Sequence, residues 1–443
     1  MKLLSPLALS WALQLSVEAC LLPHERGGIT AGQASQRVPP ATREGTGYPI
    51  GKGDRFRQGS VLPQGLGTKD RSLESILNID EVASGLQALA AFPAVRLFDA
   101  PHRTYENRTV HGAIIGGGSP RAFIQSGVHA RERGGPDNVL YFVADLLAAE
   151  RDGAGLAYGG QAYTAAQVRT ALSAGVVVVP LINPDGVHYD QQTGQCWRKN
   201  RNPRSADGAD GAAGRSVGVD LNRNYDFLWD PKRYFDPAVR STMALEDPAS
   251  ELFHGTAPAS EPEVRNAQWV MAQHGNLSWF LDLHSFEGDV LFAWGDDETQ
   301  TADPAQSFAN REYDGVRGVK GDGTYAEYME PGDLASQRGL AERICAAVAN
   351  AGSVRYTAKR SYAMYATSGT STDYALGHYY GHKCGASAIK GLGVEFGRGS
   401  DFECPFYPTE EQYHESMRQV GVVLMEFLLT AAGPEGAPKH WKC

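Results

Sequence analysis

The sequence lacks several features that would each point to a particular class of protein. Its 443 residues include 41 Lys and Arg against 51 Asp and Glu, and this diffuse net charge of −10 argues against binding of nucleic acid, which needs a basic face. Beyond the N-terminus no apolar run is long enough to span a bilayer, so we expect no stable membrane association. The six cysteines show no Cys-x-x-Cys spacing, which argues against a zinc site built from cysteines.

The N-terminus has the composition of a secretory signal peptide. Lys2 precedes an apolar stretch that is too short to cross a membrane, and Val17 and Ala19 put small residues at the −3 and −1 positions of a cleavage site. Residues 1–19 are therefore predicted to be a signal peptide and the protein to be secreted. The alternative is an N-terminal hydrophobic helix.

An exported chain would oxidise some of its cysteines. Six cysteines allow many pairings, and the sequence alone does not choose among them. We favour Cys384 with Cys404, because this pair would close a short loop beside Glu395.

The chain then divides into a leader, a folded domain and a tail. Residues 20–72 are rich in Gly, Pro, Arg, Gln and Thr without sustained periodicity and predict an irregular leader or linker, whereas 73–432 form the domain and 433–443 the tail. Strand-like runs occupy 110–115, 122–126, 176–180, 279–283 and 392–395, and helix-like stretches occupy 80–92, 136–147, 164–174, 262–273 and 334–351. Because strands and helices alternate and several strands are continuously apolar, we predict an α/β fold with a sheet buried on both faces.

Two of the apolar runs lead into a histidine. His129 is followed three residues later by Glu132, and His284 ends the run that begins at Trp279. Imidazole nitrogen and carboxylate oxygen are good zinc ligands, and a catalytic zinc keeps one position open for water. If the three side chains converge, they predict the zinc site of a hydrolase. Glu287 follows His284 at the same spacing, so spacing alone does not choose the glutamate.

Three further polar segments could contribute to such a site. The stretch 183–186, Asn-Pro-Asp-Gly, indicates a turn at a strand end. Residues 190–218 form a long polar segment with several arginines, which is either a functional loop or a solvated basic one. Residues 365–369 predict a flexible stretch with an exposed tyrosine.

Glu395 stands alone inside an apolar strand. Burial of an isolated carboxylate raises its pKa, which suits a general base that works near neutral pH. The alternative is a structural salt bridge, for instance to Arg398.

Taken together, these segments resemble the carboxypeptidase A-like zinc carboxypeptidases. The resemblance extends from about residue 75 to 430 and rests on seven motifs in the family's order. These motifs are His129-Ala-Arg-Glu132, Trp-Arg-Lys-x-Arg at 197–201, Gly-Val-Asp-x-Asn-Arg-Asn at 218–224, Ser260-Glu-Pro-Glu263, Leu283-His284-Ser285, Tyr365 before Ser-Gly, and Glu395.

The resemblance implies a fold and a metal site. The fold is a single α/β catalytic domain with a mixed, twisted sheet of the eight-stranded type, flanked by helices. One zinc ion per chain would be bound by His129, Glu132 and His284, with Asp220 orienting the first histidine. Glu287 would then be a bystander.

The resemblance also implies how a substrate is held. Glu395 would be the general base, and Arg201 would face the scissile carbonyl. The residues expected to bind the substrate's terminal carboxylate are Asn222, Arg223 and the mobile Tyr365. Thr372 would lie at the base of the side-chain pocket, and its lack of charge predicts a neutral, mainly apolar or aromatic C-terminal residue.

The predicted partners are therefore the C-termini of peptides or proteins, cleaved by a monomeric exopeptidase. Residues 20–72 are too irregular to predict a folded inhibitory pro-domain. One alternative is a catalytically inactive peptide-binding homologue, although every expected catalytic position is filled. Another is a zinc amidohydrolase acting on cell-wall peptides, although Asn222, Arg223 and Tyr365 favour an ordinary terminal α-carboxylate.

Overall fold

An eight-stranded mixed sheet runs through the protein, whose computed structural model describes residues 45–205, 214 and 216–443. The predicted signal peptide and the first part of the leader lie outside the described residues. The strands are β1 Val95–Asp99, β2 His111–Ile115, β3 Ala122–Ser126, β4 Leu156–Tyr158, β5 Gln161–Tyr163, β6 Val176–Val179, β7 Trp279–Ser285, β8 Asp289–Phe292, β9 Thr299–Gln300, β10 Glu327–Tyr328, β11 Thr357–Arg360 and β12 Lys390–Phe396.

The order of the large sheet is β1-β2-β6-β3-β7-β12-β8-β11. Its central strands β6, β3, β7 and β12 are parallel to one another, whereas β1, β2 and β8 introduce antiparallel pairs. All side chains of these four parallel strands are buried, as their apolar sequences predicted. The predicted α/β domain with a mixed eight-stranded sheet is confirmed.

Helices cover both faces of the sheet. They are α1 Ile79–Ala88, α2 Gly135–Arg151, α3 Ala165–Ser173, α4 Pro184–Thr193, α5 Pro231–Tyr234, α6 Pro262–Gln273, α7 Pro331–Val348, α8 Ser371–Tyr380 and α9 Glu410–Ala432. Alternate residues of β7 enter two different cores: Leu281 packs into one and Phe280 into the other. None of the described helices is long and apolar enough to cross a membrane.

Two local sequence interpretations are wrong. The segment 183–186 is the start of α4 rather than a turn, because Asn183 caps the helix by accepting a hydrogen bond from Gly186 N at 3.0 Å, and Pro184 suits the first helical position. The favoured disulfide is also wrong, since Cys404 pairs with Cys196 and Cys384 pairs with Cys443. Both observed bridges join segments far apart in sequence, which spacing could not reveal.

The chain on either side of the predicted domain also packs against it. Residues 45–72 contain no named helix or strand, but Tyr48, Phe56 and Leu66 are buried in the main core. The tail is held by the Cys384–Cys443 disulfide and by the ring of Trp441. The packed structure therefore extends beyond residue 73 on its N-terminal side.

Candidate metal centre and active site

The three predicted metal ligands converge where the parallel strands β3 and β7 end. His129 Nδ1 lies 2.6 Å from Glu132 Oε1, and His284 Nδ1 lies 3.1 Å from Glu132 Oε2. One ligand atom from each residue lies within 4.8 Å of the other two, and all three side chains are buried. In the part of the chain that the structure describes, no other group of three such side chains is arranged to hold a metal, so Glu287 is outside the site.

The orientation of the two imidazole rings fits a metal ion. Nδ1 of His129 and Nδ1 of His284 face each other at 3.2 Å, an arrangement that suits two lone pairs directed at one cation. The opposite nitrogens each meet a carboxylate: Nε2 of His129 lies 3.2 Å from Asp220, and Nε2 of His284 lies 3.2 Å from Asp282. Such outer carboxylates fix the tautomer that leaves the inner nitrogen free to bind metal.

Asp282 is a site residue that sequence reasoning missed. It precedes His284 by two residues on β7, so both side chains lie on the same face of the sheet. Its Oδ2 also accepts hydrogen bonds from Gln125 Nε2 at 3.0 Å and from Ser371 Oγ at 2.5 Å. Strand periodicity could have indicated Asp282, because a residue two positions before His284 on a strand lies on the same face as the histidine. A buried carboxylate at that position needs a partner.

The charges of the site determine the protonation of its carboxylates. Burial acts to raise the pKa of Glu132, but the two histidines act more strongly and hold that pKa well below its usual range. Burial likewise acts against ionised Asp220, and the positive charges of Arg198 and His129 reverse it and keep the pKa of Asp220 low. Both carboxylates are therefore ionised at neutral pH.

Glu395 lies beside the metal ligands on the neighbouring strand. It pairs in register with His284, so the two side chains project from the same face of the sheet. It is 5 % exposed, and burial raises its pKa to about 8 despite the opposing charge of His284. Arg398, the alternative salt-bridge partner, is exposed to solvent.

Arg223 and Tyr365 come together in the same cleft as the metal ligands. Arg223 Nη2 donates a hydrogen bond to Tyr365 Oη at 3.0 Å, and its Nε donates to Met243 O at 2.8 Å. Asn222 precedes it, and Asn222 Oδ1 accepts a hydrogen bond from Ser371 N at 2.9 Å. The cleft is lined by these groups and the metal site, namely His129, Arg198, Asn222, Arg223, Asp282, His284, Tyr365, Thr372 and Glu395.

The segment that carries Tyr365 is anchored at one end. Gly369 has φ +65°, and a Cβ there would lie 2.3 Å from Arg223 O, so only glycine allows this approach. Tyr365 itself is half-buried, which corrects the prediction of an exposed tyrosine in a flexible stretch.

Arg201 does not reach the cleft, and Arg198 does. The Arg201 guanidinium stacks 3.7 Å from the ring of Tyr189 and 4.6 Å from that of Trp197, away from the metal ligands. Arg198 lines the cleft and donates from Nη2 to Asp220 Oδ2 at 2.9 Å. The segment 197–202 is buried, so this part of 190–218 is not a solvated loop, whereas residues 206–213 and 215 lie outside the described residues.

Thr372 lines the cleft from the first turn of α8. Gly391 of β12 permits this position, because a Cβ at residue 391 would meet Thr372 O at 2.7 Å and Thr372 Cα at 2.9 Å. The next residue, Asp373, is directed elsewhere: both of its carboxylate oxygens accept from Gly295 N at 3.1 Å.

A model of the family described as zinc carboxypeptidase matches residues 84–413. The chain belongs to this family. The matched range contains all the predicted metal ligands, Glu395 and the cleft residues Asn222, Arg223, Tyr365 and Thr372. Zinc is the metal of the family, and the triad of His129, Glu132 and His284 is arranged to bind one metal ion.

Curated relatives of this zinc carboxypeptidase come from several animals. The chain is 29% identical over 222 residues to carboxypeptidase B of Astacus astacus, a match that covers 49% of this chain and 63% of that protein. It is 32% identical over 223 residues to zinc carboxypeptidase A 1 of Anopheles gambiae, covering 49% and 44%. It is 30% identical over 194 residues to carboxypeptidase A2 of Rattus norvegicus, covering 43% and 40%. The chain thus spans about half the length of these relatives.

Solved structures share the fold. The crystal structure of thrombin activatable fibrinolysis inhibitor superposes with a TM-score of 0.58 at 18% identity, covering 81% of this chain and 75% of that one. The carboxypeptidase A from Helicoverpa armigera superposes with a TM-score of 0.57 at 20% identity and the same coverage. At these identities the likeness concerns the architecture alone.

Proposed function

We propose that this chain is a zinc-dependent exopeptidase that hydrolyses the C-terminal peptide bond of peptides and proteins. The observation that carries the proposal is that Arg223 and Tyr365, joined by a hydrogen bond, line the same cleft as His129, His284 and Glu395. A carboxylate held at Arg223 would bring the preceding peptide bond towards the metal, and an internal peptide bond offers no such carboxylate. Exopeptidase action follows from this single anchoring charge.

His129, Glu132 and His284 would hold the zinc ion, and Asp220 and Asp282 would orient the two histidines. Zinc at such a site supplies polarisation of a carbonyl and a lowered pKa of water. The remaining steps fall to side chains of the chain itself.

Glu395 would move the proton. Its carboxylate would accept a proton from the attacking water and then donate it to the amine that leaves. A buried glutamate suits both transfers, because removal from water raises its pKa towards neutral pH. Glu395 returns to its starting protonation state within one turnover, because the proton that it takes from water ends on the leaving amine.

Arg198, rather than Arg201, would bind the carbonyl oxygen as it becomes negative. Asp220 accepts two hydrogen bonds from its Nε and Nη2, at 3.1 and 2.9 Å, which orients the guanidinium in the cleft. A single donor of this type contributes about 3 kcal/mol to a transition state.

The terminal residue of the substrate would be neutral. Thr372, Leu291 and Met364 line the cleft without charge, and the carboxylate of Asp373 is committed to Gly295 N. Hydrolysis of matched peptides ending in Phe, Leu, Lys, Arg and Glu tests this preference. We expect Phe and Leu to be fastest, and fastest cleavage of Lys or Arg would contradict the preference.

Secretion and a monomeric state are part of the same proposal. The two disulfides and the N-terminal sequence support export to an oxidising compartment. An inactive homologue would have no role for Glu395. A cell-wall amidohydrolase would have no role for the Arg223–Tyr365 pair.

The decisive experiment combines metal analysis with peptide hydrolysis on the wild type and on Glu395→Gln. We expect one zinc per chain in both proteins and a rate that falls by about 10²- to 10⁴-fold in the variant. The same peptide with a C-terminal amide should resist the wild type, because Arg223 would have no charge to bind. Full activity of the variant, or a wild type without zinc, would refute the proposal.

A further inference from the structure

Three segments of the chain meet at one buried carboxylate, Asp190 of α4, which no sequence motif marks. Its Oδ1 accepts hydrogen bonds from Trp197 N at 2.9 Å and from Tyr407 Oη at 2.6 Å. Its Oδ2 accepts from Arg133 Nε at 2.9 Å, and its backbone oxygen accepts from Arg133 Nη2 at 3.2 Å. Asp190 is fully buried, so these bonds replace all the hydration it would have in water.

Two of the three partners of Asp190 are chain neighbours of site residues. Arg133 follows the metal ligand Glu132 directly, and Trp197 directly precedes Arg198. Tyr407 lies in the segment that leads from β12 to α9, downstream of the proposed base. Asp190 therefore joins three segments: residues 129–133, here called the metal loop, residues 196–198, and the segment between β12 and α9.

The Cys196–Cys404 disulfide ties two of the same segments covalently. Beside it, Cys196 N donates a hydrogen bond to Tyr407 Oη at 2.8 Å, the hydroxyl that Asp190 also binds. From the metal loop, Arg131 places its guanidinium 4.3 Å from the ring of Phe406 and donates to Cys196 O at 3.4 Å. The disulfide and the carboxylate thus hold one contiguous cluster.

Arg198 depends on this cluster for its backbone position. Ala130 N, between two residues of the metal loop, donates to Arg198 O at 3.0 Å. On the other side, Trp197 is fixed through its N–H by Asp190. A shift of the segment 196–198 would move the Arg198 guanidinium relative to the metal ligands.

We propose that Asp190 and the Cys196–Cys404 disulfide act as one positioning unit for Arg198, and this rests on the proposed function in which Arg198 binds the scissile carbonyl. Neither group touches the substrate. Their effect reaches the reaction only through the placement of the guanidinium, and a misplacement of about 1 Å can cost about 10²-fold in rate.

The test uses Asp190→Asn, Tyr407→Phe and the double substitution C196S/C404S, with C384S/C443S as the matched control. The control also removes one disulfide, but that bridge lies at the tail rather than at the cleft. We expect the first three variants to lower kcat about 10- to 100-fold while KM changes by less than about threefold. The control should keep the wild-type kcat, and all variants should keep their zinc.

Combination with Arg198→Ala separates positioning from general damage. In that background, loss of Asp190 or of the disulfide should lower kcat by no more than about twofold further, because the group they position is gone. A further loss as large as in the wild-type background would overturn the proposal, as would a wild-type kcat in both Asp190→Asn and C196S/C404S.

Amide hydrogen exchange provides a readout that does not need turnover. Asp190→Asn should speed exchange of the amides at 197–200 and leave α9 unchanged, and unchanged exchange at 197–200 would contradict the positioning role. Inactivity of the zinc-loaded wild type would instead refute the proposed function, and the exchange result would still decide whether Asp190 holds the segment.

Discussion

Two buried groups of carboxylates in this protein have opposite electrostatic behaviour. Glu132 and Asp220 at the metal site face histidines and Arg198, and their pKa values lie well below the usual range. A second group, here called the acid cluster, has raised pKa values; it consists of Asp296, Asp297, Glu327 and Asp373 of α8. Burial raises the pKa in both groups, so the facing charges account for the difference.

One buried cation is among the groups that affect the pKa values of the acid cluster. Arg317, fully buried, acts to lower the pKa of Asp296 and of Glu327, but the neighbouring carboxylates and burial outweigh it. Asp296, Asp297 and Asp373 have pKa values of about 7 and the pKa of Glu327 is also raised, so the cluster is partly protonated at neutral pH, whereas Glu132 and Asp220 are ionised. The comparison suggests that a buried acid is available for binding a cation only where positive charge already keeps it ionised.

The largest expected effect is on stability, from Arg317→Met. Removal of a buried charge among carboxylates should lower the free energy of unfolding by about 3–5 kcal/mol at pH 8, measured by chemical denaturation. Arg233→Met is the matched control, because Arg233 faces the same Asp314 from the surface and should cost less than about 1 kcal/mol. Equal losses would show that burial of Arg317 contributes nothing.

The next effect concerns zinc affinity. Asp220→Asn should weaken zinc binding by about 10- to 100-fold, because His129 loses the carboxylate that orients its ring. Competition with a chelator measures this affinity directly. Asp297→Asn, a buried acid of the acid cluster, should leave it unchanged, and similar losses in the two variants would remove the distinction between the groups.

The smallest effect is a pH dependence. Burial, with the charge of Asp373, raises the pKa of Asp296 to about 7, above the value of about 3.9 for an unfolded aspartate. The folded state then binds more protons between these values, so the free energy of unfolding falls as the pH rises from about 4 to about 7.

The substitution Asp296→Asn should remove the part of this pH-dependent decrease in the free energy of unfolding that Asp296 causes. We expect the variant to gain about 1–2 kcal/mol of stability over the wild type at pH 8 and almost nothing at pH 4. Thermal unfolding followed at both pH values checks the sign. A variant less stable than the wild type at pH 8 would mean that ionised Asp296 stabilises the fold.

Sequence patterns predicted the long apolar strands and helices of this protein better than its short strands. The strand at 122–126 and the helix at 262–273 have the predicted bounds, because strong apolar periodicity decides them. The strands β1, β8 and β11 were missed, since they are short and carry charged residues, and β1 and β11 form the two edges of the sheet. Tertiary pairing rather than local preference makes such segments strands.

The site shows the same division. Strand ends and spacing pointed to His129, His284 and a glutamate, and the family resemblance chose Glu132 over Glu287. Neither distinguished Arg198 from Arg201, because both belong to one polar segment. That distinction depends on contacts of the 197–198 backbone with Ala130, which is distant in sequence, and with Asp190 of α4. Disulfide pairing was likewise decided by the folded path of the chain.

Gly391 has a consequence for how the cleft could change. Its missing side chain lets α8 sit directly on β12, with no space for even a methyl group beside Thr372. If Thr372 forms the base of the pocket as proposed, its depth is set by a residue that does not line the cleft. A larger group at position 391 would lift the first turn of α8 into the cleft and shorten the side chains it can admit. Substitution of Thr372 alone would alter the chemistry at the base of the pocket, but the position of that base depends on the neighbouring strand β12.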